Sequence, residues 1–129
     1  TTISRGVWTD VTFTETADSG TTFNGTTFTV PAGEGGVYEL IAWVEGDYNS
    51  IGNDGEAAGI RFDKNSGTIL AEASFLNLDH SDRNQVINTS YMGSLAAGDT
   101  IVVEARFVDG NASGSATLSE AALTIKKVA

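Results

Sequence analysis

Chemistry in this chain has to be sought at its single histidine and in its runs of acids and amides. His80 lies in Asn77-Leu78-Asp79-His80-Ser81-Asp82-Arg83-Asn84, with serine and aspartate beside it. A serine–histidine–aspartate triad needs members that converge from separate elements, whereas neighbours on one extended stretch point apart. One histidine can serve as a metal ligand, but nothing supplies its partners at a ligand spacing. Residues 77–84 are therefore expected to be a solvated loop between two strands, without catalysis.

The richer segment is Gly46-Asp47-Tyr48-Asn49-Ser50-Ile51-Gly52-Asn53-Asp54-Gly55-Glu56. Asp47, Asn49, Asp54 and Glu56 are hard oxygen donors on a glycine-rich loop, the donor type that calcium takes. Asp47-x-Asn49 with Gly52 in the sixth position imitates the opening of an EF-hand loop. Ile51 in the fifth and Ala58 in the twelfth position, where the bidentate glutamate belongs, exclude that motif. The same composition also suits an ordinary asparagine–glycine loop that binds nothing. Calcium is the only cofactor this reading admits. Trp43, Tyr48, Asn49 and Asn53 form a second candidate, because aromatic rings beside polar loops stack on sugars or anchor protein contacts. The competing reading of Trp43 is a ring that covers the outer face of its own sheet.

Aspartate and glutamate number 17 against 7 lysine and arginine, for a formal charge of -10. Phosphate backbones are bound through lysine and arginine, so nucleic acid and anionic membranes are not expected partners. No apolar run approaches the ~20 residues of a membrane span, and no charged-then-apolar leader opens the chain. Cysteine is absent, which excludes disulfides, thiolate metal sites and cysteine nucleophiles. A glycosidase would need two carboxylates facing a sugar across roughly 5 to 10 Å. Most acids here fall in turns or on alternating solvent faces, so a solubilising surface is their expected role. Asn24-Gly25-Thr26, Asn88-Thr89-Ser90 and Asn111-Ala112-Ser113 match the glycosylation acceptor pattern, as triplets do by chance in a threonine- and serine-rich chain. The chain is read as a non-enzyme.

The elements that must position these residues are strands. The 129 residues amount to one domain, 1–129. Apolar residues recur with period two between clusters of glycine, asparagine, aspartate and serine. A first strand carries Val7, Val11 and Phe13, and a short second piece carries Phe28 and Val30 before Pro31, the one proline. Residues 37–45 form the strongest strand, with Tyr38, Leu40, Ala42 and Val44 on one face. Ile60 with Phe62, then residues 69–75, 87–95 and 101–108, continue the signal, and Leu123 with Ile125 gives a last strand. The alanine-bearing pieces 95–97 and 120–122 are too short for isolated helices. Short strands at roughly 8 to 12 residue spacing imply an antiparallel sandwich, jelly roll or barrel.

Three segments in order carry a family resemblance. They are Phe23-Asn24-Gly25 with Phe28-Thr29-Val30-Pro31 and Gly36-Val37-Tyr38-Glu39-Leu40; then Ile60 through Lys64-Asn65-Ser66-Gly67; then Leu95-Ala96-Ala97-Gly98-Asp99-Thr100-Ile101. Together the chain resembles the C1q globular-head and tumour necrosis factor-like superfamily, in a stalkless microbial or phage version. The resemblance implies an all-β, antiparallel β-sandwich (jelly roll) of roughly ten short strands, forming a homotrimer. It also implies a virion protein: a capsid decoration, head fibre or tail-fibre tip at the particle surface, partnered by capsid or tail proteins. The alternative is an extracellular, lectin-like module binding surface glycans with calcium. On the family's pattern, residues 101–108, 60–62 and 123–125 line the three-fold axis in one sheet. Arg61, Val102, Glu104, Arg106 and Val108 would then form the trimer interface, with Glu104 and Arg106 paired between subunits. Val102→Asp is expected to disperse the trimer and Asn65→Ser to leave it intact.

Overall fold

Alternation of apolar and polar residues is realised as two stacked antiparallel sheets in the computed structural model, which describes residues 1–4, 6–14, 22–47, 57–76, 84–108 and 115–129. The strands are β1 (Thr2–Ser4), β2 (Thr9–Asp10), β3 (Thr27–Thr29), β4 (Gly36–Asp47), β5 (Ala57–Lys64), β6 (Thr68–Leu76), β7 (Asn84–Leu95), β8 (Thr100–Val108) and β9 (Ser115–Lys127). The first sheet runs β1-β9-β4-β7; the second runs β2-β8-β5-β6, with β3 also paired to β8. This is a jelly-roll sandwich.

Each long strand sends alternate side chains between the sheets. Tyr38, Leu40, Ala42 and Val44 of β4 face Ile60 and Phe62 of β5 and Ile101, Val103, Ala105 and Phe107 of β8, in one buried cluster. Phe62, Phe107, Leu40 and Ile60 are fully buried there. Removing any one of them to alanine would leave a cavity costing about 2–5 kcal/mol.

Three local expectations change. The first strand shrinks to Thr9–Asp10, and Thr2–Ser4 adds a short strand against β9. The last strand is not a two-residue signal but 13 residues long. Its Glu120-Ala121-Ala122 piece has weak strand propensity, overridden because β4 pairs it residue by residue, Glu45 with Glu120, Val44 with Ala121 and Trp43 with Ala122. Residues 123–125 therefore belong to the first sheet, while β5 and β8 belong to the second. The three segments expected to share one sheet do not.

The turns explain the Lys64–Gly67 and Leu95–Ile101 patterns. Asn65 and Ser66 both adopt left-handed backbone, with φ of 55° and 56°. Asn65 accepts from the Thr100 amide at 2.9 Å and donates from Nδ2 to Asp99 Oδ1 at 2.9 Å. Asp99 Oδ2 in turn accepts from the Ala96 amide at 2.9 Å, while Gly98 takes φ of 89°. Asn65 thus clamps the β5–β6 turn to the β7–β8 turn.

Candidate functional site

Two outward faces and one loop region hold the residues that the sequence singled out. On the second sheet, β8 sends Val102, Glu104 and Arg106 outward, all half-buried, opposite the fully buried Ile101, Val103 and Ala105. Register brings Arg61 of β5 across from Glu104. The Arg61 Nε donates to Glu104 Oε2 at 2.5 Å, and only 13% of the Glu104 side chain is exposed. The indole of Trp8 lies against both guanidiniums, 4.1 Å from Arg61 and 4.4 Å from Arg106. It lies so close over Gly59 that a Cβ there would sit 2.9 Å from the ring. Within one chain, then, Arg61 pairs with Glu104 and both arginines stack on Trp8. Glu104 has its cation within the chain, so it needs none from a neighbour. Val108 ends β8, paired with Ala57.

Trp8 gave no sign of this role. Its partners stand far along the chain, and only the non-local pairing of β5 with β8 brings them under the ring.

The outer face of the first sheet differs in character. Trp43 is half-buried in mid-β4, flanked in register by Asn88 of β7 and Ala122 of β9. Ile41 on the same strand is 41% exposed, Val86 of β7 is 48% exposed and Met92 of β7 is 60% exposed. Val86 stands opposite Glu45 and Met92 opposite Glu39, which puts them on the Trp43 side of the sheet. The sequence carried the signal: Ile41 and Trp43 share the parity opposite to the buried Leu40, Ala42 and Val44.

The calcium and glycan candidates Tyr48, Asn49, Asn53, Asp54 and Glu56, and the histidine His80, lie outside the described residues. Asp47 is the final residue of β4, where its backbone pairs with Asn84 and Thr117. Among the described residues no three acidic or histidine side chains gather into a metal-sized group. Among them also, no helix is long and apolar enough to cross a membrane.

At the end of the sandwich Asn24 closes a tight turn. Its Oδ1 accepts from the Thr27 amide at 2.8 Å, the Thr26 amide at 3.1 Å and the Thr26 hydroxyl at 3.1 Å. The Asp99 carboxyl is held below the usual aspartate range by the Asn65 side chain, then the Ala96 amide, with the Lys64 charge adding to them.

No protein-family model matches the chain, and no curated protein matches it. Among solved structures it is similar to the globular domain of zebrafish complement 1qA protein, at 18% identity and a TM-score of 0.60. The alignment covers 99% of this chain and 95% of that one. Nine antiparallel strands in this order among the described residues, and a superposition spanning both chains almost end to end, give one conclusion: the chain has the fold of the C1q globular domain.

Proposed function

We propose that this domain is a non-enzymatic module that works as a homotrimer, displayed on a phage particle as a capsid decoration, head fibre or tail-fibre tip. The observation that carries the assembly is the outer face of the first sheet, where Ile41, Val86 and Met92 stand exposed around Trp43. Ile41 and Trp43 are neighbours on that face, with exposed Val86 and Met92 further along β7. Large apolar side chains set among polar ones on a sheet face suit a contact with another protein. The C1q-like fold supports three copies rather than two. A closed three-fold ring covers the same patch on every copy and leaves none for further growth. The face of Val102, Glu104 and Arg106 is the weaker candidate, because Glu104 is already paired with Arg61 and both arginines already stack on Trp8 within the chain.

The net charge of -10 suits a component that stays soluble before docking on its particle. Light scattering on the purified chain tests the assembly, with a mass of three chains expected and a micromolar monomer overturning it. Mass spectrometry of purified particles tests the location. Copies in multiples of three support it, and detection only in soluble host extract sinks it.

A further inference from the structure

Asn24-Gly25 is the one Asn-Gly pair in the chain, and three donors converge on its side-chain carbonyl. We infer that Asn24 is a self-modification site, at which the turn promotes conversion of the asparagine to aspartate and isoaspartate. Three donors, the amides of Thr26 and Thr27 and the hydroxyl of Thr26, converge on Asn24 Oδ1 at 2.8 to 3.1 Å. They sit where negative charge develops if the side-chain carbonyl is attacked, the arrangement that stabilises an oxyanion in acyl transfer. The attacking atom is the Gly25 amide nitrogen, which takes part in none of these bonds. Asn24 is exposed, and glycine presents no side chain to obstruct the approach.

The step balances without any redox partner. The Gly25 nitrogen loses its proton to solvent and bonds to Asn24 Cγ, placing the charge on Oδ1 before the three donors. The intermediate collapses, the Cγ–Nδ2 bond breaks, and the amide leaves as ammonia after taking a proton. The five-membered imide then takes up water at one of its two carbonyls, giving aspartate or, through the side-chain carbon, isoaspartate. Asn65 offers the internal contrast. Its Oδ1 also accepts two hydrogen bonds, but its successor is Ser66, whose Cβ crowds the attacking nitrogen.

Isoaspartate would lengthen the main chain by one carbon inside a tightly tied turn. The Phe13 amide donates to Gly25 O at 2.8 Å, and the Asn24 amide donates to Thr27 O at 3.2 Å. The tie between residues 11–14 and the body of the sandwich is the part that loosens.

The test is a time course of the intact, folded chain in mildly alkaline buffer, with the Asn24 peptide followed by mass spectrometry and isoaspartate assay. A parallel sample is held unfolded in urea. The native chain is expected to convert at least as fast as the unfolded one. Thr26→Ala is expected to slow conversion by about five-fold, the worth of one hydrogen bond, and Thr26→Ser to restore it. A native rate well below the rate in urea means that the fold protects Asn24, which overturns the inference. An unchanged rate in Thr26→Ala overturns it equally.

Discussion

Arg61 and Glu104 show what a single side chain is worth on the second sheet. Arg61→Ala leaves a carboxylate of which only 13% is exposed without its cation, and also strips one guanidinium from Trp8. An expected loss of about 1–3 kcal/mol follows from the stranded charge. The double variant Arg61→Ala with Glu104→Ala is expected to recover part of it, because the penalty lies mainly in the orphaned charge. Urea unfolding of the two variants measures the difference; equal losses would show that the carboxylate stays hydrated. A second pair of variants separates hydrogen bonding from backbone strain. Asn65→Ser removes a clamp of three side-chain hydrogen bonds and gives up a residue that tolerates left-handed backbone. It is expected to cost about 1–2 kcal/mol. Ser66→Gly works in the other direction. Relief of about 1–2 kcal/mol of left-handed strain outweighs the roughly 0.5–1 kcal/mol entropic cost of glycine, for a gain of about 0.5 kcal/mol. Thermal melts of both chains read these shifts.

At the scale of elements, the clamp between the β5–β6 and β7–β8 turns makes stability depend on acid. Asp99 titrates below its ordinary value in the folded chain, through Asn65, then the Ala96 amide, then the charge of Lys64. An unfolded aspartate titrates near ~3.9, so below that point the unfolded state binds the extra proton first. The contribution of Asp99 is therefore fully present at neutral pH. It is lost as pH falls from the ordinary aspartate range through the depressed folded value. Asp99→Asn is expected to show a shallower loss of stability across that acid window than the parent chain, measured by urea midpoints at stepped pH. A parallel loss in the two chains would remove Asp99 from the account. This turn was legible in the sequence, since Gly98-Asp99 before a strand specifies its own backbone. The alternating cores of β4 and β8 were equally legible, because period two survives in any local window. What could not be read was pairing. Nothing local in residues 123–125 tells which sheet receives them, and nothing local in Trp8 tells that two distant arginines will meet it. The short β1 and the weakly patterned start of β9 are held by their neighbours and not by their own propensity.

For the whole molecule the decisive variant is Ile41→Asp. An exposed isoleucine buried at a contact contributes about 1.5–3 kcal/mol, and a carboxylate in its place adds a desolvation penalty. Applied at each contact of a ring, this is expected to reduce the assembly to monomers at micromolar concentration while the fold is kept. Val102→Asp, on the second sheet, is expected to leave the assembled mass unchanged. Light scattering with circular dichroism distinguishes the two, and the reverse result would move the interface to the second sheet. The place of β9 has a different consequence, for the order in which the domain is made. β9 is the last strand in the chain, yet it lies between β1, the first, and β4. A ribosome that has released β1 through β8 has therefore delivered a first sheet with its middle missing. β4 waits with one edge unpaired, and β1 waits with no partner in that sheet at all. Loop closure across nearly the whole chain must precede that pairing, which places the domain among slow, non-local folders. Until β9 emerges, the bare edge of β4 and the half-covered core are open to other nascent chains. Synthesis of this domain thus holds a window of vulnerability that closes only when β9 joins β4.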